Sequence, residues 1–171
     1  MKNFNLLIST SRYNETNAKS ELWFILLICG DNYPIISRLT HSGLIAALTN
    51  FNAKNIIRKI KKIKENDPNF FQFILKVVPI DFVCESNTKF IVKLIQENYK
   101  DFIKDEETYK IVLKRRKHEK IERNHLIEQI AGKLSNKVVL ENPDKIIRIE
   151  ILGNFSGISF IEKDGIFKVN N

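Results

Sequence analysis

The chain has 171 residues, of which 43% are hydrophobic and 28% are charged. This is enough apolar material for one large core or two small ones, and it excludes an intrinsically disordered chain. The formal net charge of +8 favours negatively charged partners, with nucleic acid ahead of an anionic membrane. The longest apolar run, from Leu22 to Cys29, is far below the roughly 20 residues that span a bilayer, so no membrane association is expected.

The two cysteines, Cys29 and Cys84, are too few for the disulfide framework of a secreted protein. Both have apolar neighbours, which predicts free, buried thiols in a reducing compartment. Near the N-terminus, Asn5 interrupts the apolar residues before a signal-peptide core can form. A cytoplasmic location is therefore predicted.

The first half of the chain predicts the order strand, helix, strand, strand, helix, strand. Asparagines suited to helix capping stand at Asn14, Asn17 and Asn52, and apolar residues recur at helical spacing after them. This order, with both helices on one face, is that of a ferredoxin-like sandwich. The predicted strands cover residues 4–9, 33–39, 43–49 and 70–80, and Trp23 is expected in the core or at a domain junction.

The second half predicts a mixed α/β unit, so the fold class is α+β. Asn87 or Thr88 caps a helix, and a strand over 108–114 follows it. A basic segment then leads into a helix over about 124–135. The remaining predicted strands cover 137–140, 145–152 and 155–161, and a last strand pairs across the turn Lys163–Gly165.

Positive charge is concentrated in two segments. The segment from Lys110 to Arg123 contains seven lysines and arginines and two acids. The segment from Lys54 to Lys64 contains six lysines and arginines and no acid. Each segment alone is compatible with a solvated face that aids solubility. Because the acids lie elsewhere in the chain, the two together favour phosphate binding by counterion release.

No catalytic or metal-binding constellation is present in the sequence. His41, His118 and His125 have no metal-ligand spacing with one another or with the cysteines. The segment 153–157 lacks the lysine and the following helix of a phosphate loop. Neither a cofactor nor a metal is predicted, and the chain is not expected to be an enzyme.

Two alternatives to nucleic-acid binding stay open at this point. One is a small RNA-processing catalyst that uses His118 and Lys114. The other is a protein-docking module that presents Trp23, Phe70 and Phe71.

Six segments of the chain together form a family pattern: RYNE (12–15), SGLIAALT (42–49), KVVPID (76–81), VLKRRKH (112–118), IEQIAGKL (127–134) and KVVLENPDKIIRIEILG (137–153). Taken together and in order, they resemble the stand-alone THUMP-domain proteins, which are adaptors of tRNA cytidine acetylation in archaea and eukaryotes. The resemblance covers nearly the whole chain, and its most specific part is the pattern VxLxNPDxxIxxEI. Two departures are Val139, where the family often has an acid, and a helix start that reads Ile-Glu-Arg-Asn where a serine cap is common.

The resemblance implies an N-terminal ferredoxin-like domain over 1–75 packed on a mixed α/β THUMP domain over 76–171. Such a pair is expected to bind the acceptor stem and 3′ end of tRNA. It would present tRNA to a tRNA cytidine acetyltransferase that modifies the exocyclic amine of a cytidine in the D arm, without catalysing the reaction itself.

The same domain pair precedes catalytic domains in thiouridine synthetases and some RNA methyltransferases. An RNA-binding subunit of a thiolating or methylating enzyme is therefore the alternative. The chain has neither an SGGxDS loop nor a methyltransferase glycine loop, so another chain is expected to supply catalysis.

The residues predicted to contact RNA are those of the basic segment and one arginine near the first helix. Arginine is expected to contribute more than lysine, because its planar fork can hold a phosphate through two hydrogen bonds. The predicted contacts are Arg12, Lys114, Arg115, Arg116, Lys117, His118, Arg123 and Lys133, with a secondary set of Lys54, Arg58, Lys61 and Lys62.

Overall fold

The computed structural model describes residues 3–116 and 121–170. The predictions for Lys117 and His118 lie outside the described residues. The chain forms two compact units, the first of Met1–Ile80 with Gly165–Asn171 and the second of Asp81–Asp164.

Nine strands and four helices make up the described part of the chain. A single 3₁₀ turn, Tyr99–Asp101, follows the third helix. In chain order the elements are β1 (Leu6–Thr10), α1 (Glu15–Ile28), β2 (Ile35–Arg38), β3 (Leu44–Leu48), α2 (Ala53–Asn66), β4 (Ile74–Pro79), β5 (Phe82–Glu85), α3 (Thr88–Asn98), β6 (Tyr109–Arg116), α4 (Arg123–Ala131), β7 (Lys145–Leu152), β8 (Phe155–Ile161) and β9 (Phe167–Lys168).

The first unit is a five-stranded sheet with the order β2-β3-β1-β4-β9 and two helices. The four strands β1 to β4 pair antiparallel in the order of a ferredoxin-like sandwich. Residues of α1 such as Leu22 and of α2 such as Ile56 share one buried cluster with Ile8 of β1. The predicted fold class is therefore confirmed.

Helix α2 begins where its cap predicts. The Asn52 side chain accepts hydrogen bonds from the backbone N–H of Lys54 and Asn55, at 3.0 and 3.2 Å. This satisfies donors that the first helical turn leaves without an intrahelical partner.

The strand predicted to begin at Phe70 begins at Ile74 instead. The carboxylate of Glu21 accepts the backbone N–H groups of Gln72, Phe73 and Ile74, at 2.6, 3.1 and 2.6 Å. Because those donors are taken by a side chain of α1, the preceding residues form a loop. For Trp23 the core position is wrong, since its side chain is 49% exposed, and a position at a domain junction stays a prediction.

The last strand leaves the second unit and joins the first. The sequence predicted that it would pair across Lys163–Gly165, but β9 pairs antiparallel with β4, with Val77 opposite Phe167. The Phe167 ring is buried in the first core, 4.6 Å from the ring of Phe71. The burial of this aromatic ring gives a physical reason for the position of the strand.

The limits of the compact units differ from the predicted domains 1–75 and 76–171. A boundary between residues 75 and 76 would divide β4, which pairs with β1 on both sides of that boundary, at Ile74 and from Lys76 to Pro79. The first unit extends to Ile80 and resumes at Gly165.

The second unit is a four-stranded sheet with the order β5-β8-β7-β6. Strands β6 and β7 are parallel, and the other pairs are antiparallel. Ile91 of α3 and Leu126 of α4 share one buried cluster with Ile149 of β7, so both helices cover the same face. Strand β5 was not predicted.

The predicted strand over 137–140 is wrong. In the described part of the chain it is reduced to one bridge between Tyr109 and Val138. The Asn136 side chain donates to the carbonyls of Lys104 and Glu107, at 2.7 and 2.9 Å. These bonds fix the segment as a loop beside the start of β6.

The turn at residues 142–144 fastens the start of β7 to the start of β6. The Asp144 carboxylate accepts from the backbone N–H and the hydroxyl of Thr108, at 2.8 and 2.7 Å. The Asp144 N–H in turn donates to the Thr108 hydroxyl at 3.1 Å. The Asn-Pro-Asp part of the most specific pattern therefore has a structural role in aligning two parallel strands.

We expect Asp144→Asn to reduce the loss of stability in acid. The Thr108 hydrogen bonds, with the backbone bond first, lower the pKa of Asp144 below its ordinary value of 3.8. A lowered pKa contributes stability that is present above the unfolded-state value and is lost as the pH falls through the folded-state value. Urea unfolding measured from about pH 5 to pH 2 should show a flatter decline for the variant.

The matched control is Asp105→Asn, which removes an exposed acid from the same unit. An acid limb of equal steepness in wild type and Asp144→Asn would contradict the role of this turn.

Candidate nucleic-acid interface

The basic segment of the second unit begins within a strand. Lys114, Arg115 and Arg116 are the last three residues of β6, and Arg123 is the first residue of α4. The sequence pattern predicted that this strand ends at Lys114, with the two arginines after it. That prediction is wrong, because β6 continues to Arg116. Because β6 lies at the edge of its sheet, its side chains alternate between the two faces at an open border.

Two arginines brace the connection between β6 and α4. The Arg115 guanidinium donates to the carbonyl of Ile121 at 2.7 Å, and the Arg123 guanidinium donates to the carbonyl of Leu113 at 3.2 Å. Arg115 and Arg123 are both exposed residues. Since a guanidinium has five N–H donors, each can brace the backbone and still contact a phosphate.

A glutamate starts helix α4 inside this basic cluster. The Glu122 carboxylate accepts the backbone N–H of Asn124 at 2.9 Å and of His125 at 2.5 Å. These bonds, the one from His125 first, lower the pKa of Glu122, and the charge of Arg115 adds to the effect. The helix start that lacks the common serine is therefore capped by Glu122.

The side chains of Lys114 and Arg116 project from the face of the second sheet that α3 and α4 do not cover. Their register partners on β7 are Glu150 and Leu152, whereas the intervening Arg115 pairs with Ile151 of the core. Lys114 and Arg116 are exposed, and within residues 3–116 and 121–170 neither has a hydrogen-bond or ion-pair partner. Two residues apart on one strand, they are separated by roughly 6.6 Å.

A buried ion pair lies on the same face as Lys114. The Arg148 guanidinium donates to one oxygen of Glu150 from Nε at 2.8 Å and from Nη2 at 2.6 Å. The two side chains are only 8% and 4% exposed. Sequence analysis missed this pair, although two opposite charges two residues apart in the apolar run of β7 were a visible signal.

The remaining predicted contact of this unit is not brought into the cluster. Lys133 is exposed just beyond the end of α4. By helical rise it lies roughly 15 Å from Arg123, which starts the same helix.

In the first unit, Arg12 is exposed between β1 and α1. Among the secondary set, Arg58 donates to the side chain of Asn55 at 2.9 Å. Lys54 and Lys61 are half-buried, and Lys62 is exposed.

Two other lysines of α2 have structural contacts. Lys59 donates to the carbonyl of Cys29 at 2.7 Å, and Lys64 donates to the carbonyls of Lys168 and Val169. The helix is thus only partly a solvated basic face.

The described residues give no support for metal or thiol chemistry. No group of three His, Cys, Asp or Glu residues in the described part of the chain could hold a metal ion. Cys29 and Cys84 are free thiols. Burial, aided by the charge of Glu85, raises the pKa of Cys84 to about 11, so its reactive thiolate is scarce at neutral pH.

Within residues 3–116 and 121–170, no helix has the length and apolar character needed to cross a bilayer.

The second unit is similar to a known domain family. The family model described as THUMP domain matches residues 85–160, a range that runs from the end of β5 to β8. This part of the chain is therefore similar to THUMP domains, which are associated with RNA binding in tRNA-modifying enzymes.

One curated relative and two solved structures place this domain among known proteins. The chain is 30% identical over 109 residues to the THUMP domain-containing protein 1 homolog of Drosophila melanogaster. The aligned region covers 60% of this chain and 34% of the relative. It therefore spans about a third of the length of that relative.

Both solved structures are similar in fold. PH1313 from Pyrococcus horikoshii has a TM-score of 0.66 at 18% identity, with 92% of this chain and 55% of that chain covered. A 4-thiouridine synthetase in an RNA complex with bound ATP has a TM-score of 0.61 at 13% identity, with 97% and 42% covered.

Proposed function

We propose that this protein is a tRNA-binding adaptor that presents tRNA to a separate cytidine acetyltransferase and forms no covalent bond itself. The observation that carries the proposal is the pair Lys114 and Arg116, two exposed cations without a partner among the described residues at the edge of a THUMP domain. Exposed cations at phosphate spacing supply the sequence-independent part of RNA affinity.

The similarity to the Drosophila THUMP domain-containing protein 1 homolog supports the same proposal, because it extends over 60% of this chain. The 4-thiouridine synthetase of similar fold was solved as an RNA complex. We place the acceptor stem and 3′ end of tRNA as the bound region, following the resemblance of the sequence to acetylation adaptors.

The free thiols of Cys29 and Cys84 fit a reducing, cytoplasmic location for this function.

The experiment that tests the pathway is mass spectrometry of tRNA nucleosides from cells that lack this chain. We expect acetylcytidine to be lost and other modified nucleosides to stay at their normal levels. Loss of a thiolated or methylated nucleoside with acetylcytidine intact would overturn the acetylation role and support the alternative RNA-binding subunit.

The adaptor character has its own test in vitro. Purified protein should bind naked tRNA in a salt-dependent manner and should leave the tRNA chemically unchanged over hours of incubation. Any turnover of tRNA by the purified chain alone would contradict the non-catalytic proposal.

A further inference from the structure

Arg12 and Tyr13 lie at the tip of a tight turn between β1 and α1. The backbone N–H of Asn14 donates to the carbonyl of Ser11 at 3.1 Å, which closes a four-residue turn with Arg12 and Tyr13 as its central residues. Tyr13 has a φ of 71°. In this position of a turn a positive φ favours glycine or asparagine, and a large aromatic residue is strained.

The Tyr13 side chain has no packing role that would explain this conformation. It is 94% exposed, and the described part of the chain offers it no hydrogen-bond, ring or ionic partner. A ring so placed neither adds to a core nor satisfies a polar group. Its open aromatic face is available to a ligand with a flat surface.

The charges around the turn select the chemistry of that ligand. Arg12 is exposed and also lacks a partner among the described residues. Arg38, at the end of β2, donates to the hydroxyl of Thr16 in the first turn of α1. Its guanidinium is thereby held beside Thr16, which follows Tyr13 by three residues in the chain.

The nearest acid is already engaged. The Glu15 carboxylate accepts the backbone N–H of Gly43 at 2.6 Å, and this bond is the main cause that lowers its pKa. Position 43 requires a glycine, because its φ is +75° and an added Cβ would lie 2.8 Å from the Thr10 carbonyl oxygen. The carboxylate is thus directed to the turn between β2 and β3.

An exposed aromatic ring flanked by arginines is the combination that binds single-stranded nucleic acid. We propose that Tyr13 stacks on one unpaired RNA base while Arg12 and Arg38 contact the phosphates beside it. The site is specific for an unstacked nucleotide, since a base within a duplex has no free face. This inference rests on the proposed function, and it adds a contact point in the first unit that reads single-stranded character.

The test compares two RNA probes on the full chain. One is a single strand of about 10 nucleotides carrying 2-aminopurine, and the other is a blunt duplex of the same length. Tyr13→Leu should bind the single strand about tenfold more weakly than wild type and the duplex equally well. Tyr13→Phe, which keeps the ring, should match wild type with both probes.

Stacking and stability give two further readouts. The 2-aminopurine fluorescence should be quenched by wild type and Tyr13→Phe and not by Tyr13→Leu. Tyr13→Gly should raise the Tm, because it relieves the positive φ, while it weakens single-strand binding. A residue with only a structural role would not show this exchange of binding for stability.

The arginines are tested by charge removal. Arg12→Gln and Arg38→Gln should each reduce the salt dependence of binding, by about 1 in the log–log slope. Lys19→Gln is the matched control, because it removes an exposed charge from α1, the helix that follows the turn.

Equal single-strand binding by wild type and Tyr13→Leu would overturn this inference. If the wild type binds tRNA in that case, the proposed function stands without it. If the wild type binds no RNA at all, the proposed function and this inference both fall.

Discussion

Replacing Glu150 with alanine is expected to destabilise the second unit by about 3–5 kcal/mol. The variant leaves the Arg148 guanidinium buried, with the side chain only 8% exposed and its partner removed. A buried charge without a partner keeps the full cost of desolvation. Since small domains are stable by about 5–15 kcal/mol, this loss takes up a large part of the total.

The control for this prediction removes both charges. The double variant Arg148→Met with Glu150→Leu should be close to neutral or more stable, because well-packed apolar residues often replace a buried ion pair without loss. Hydrogen exchange resolved for the amides of β6, β7 and β8 would assign the effect to the second unit. Unchanged protection in Glu150→Ala would show that the pair does not support this sheet.

The second large effect concerns RNA. Lys114→Ala combined with Arg116→Ala should weaken tRNA binding by about 30- to 160-fold, at roughly 1 to 1.5 kcal/mol for each lost phosphate contact. The slope of log affinity against log salt should fall by about 2. Both side chains are exposed, and neither has a hydrogen-bond or ion-pair partner among the described residues, so the variant should unfold at the wild-type temperature.

The matched control is Lys89→Ala with Lys93→Ala. It removes the same charge from exposed positions of α3, where Lys93 only forms a surface ion pair with Glu97 at 3.7 Å. We expect its affinity and salt slope to stay near those of wild type. If the control and the double variant of β6 lose affinity equally, the binding depends on overall charge and the proposed interface is wrong.

Arg115 is a poorer target for this experiment than its neighbour. Its guanidinium holds the carbonyl of Ile121, so an alanine at this position would loosen the connection to α4 as well as remove a charge. The expectation that arginine contributes more than lysine is therefore tested with Arg116 against Lys114.

The ferredoxin-like unit could be predicted because its signals are local. The Asn52 cap and the isoleucine stripe of α2 fix one helix, and the spacing of Ala18, Leu22, Ile25 and Leu26 fixes the other. Four strands between such helices leave few allowed topologies.

The errors arose where distant partners decide the structure. Strand β5 has only four residues and exists because β8 offers a pairing edge, with Phe82 opposite Ile158. The destination of β9 depends on the fit of Phe167 beside Phe71, which no periodicity shows.

The basic residues of the interface were partly predictable. Their charge marked them in the sequence, but alternation no longer distinguishes the two faces after Leu113, where lysine and arginines follow one another. The register with β7 decides that Arg115 lies on the helix-covered face and Lys114 and Arg116 on the other. The hydrogen bonds of Arg115 and Arg123 to backbone carbonyls have no sequence signal. The assignments of Lys117 and His118 stay predictions.

The return of β9 to the first sheet makes the second unit an insertion between two neighbouring strands, β4 and β9. Residues 81–164 lie in the chain between β4 and β9, and these two strands pair directly with each other. A fragment that ends at residue 164 would keep every strand of the second unit. It would remove the edge strand β9, with its buried Phe167, from the sheet of the first unit. Ligating Ile80 to Gly165 through a short Gly-Ser linker would give the complementary excision, a ferredoxin-like sheet with all five of its strands.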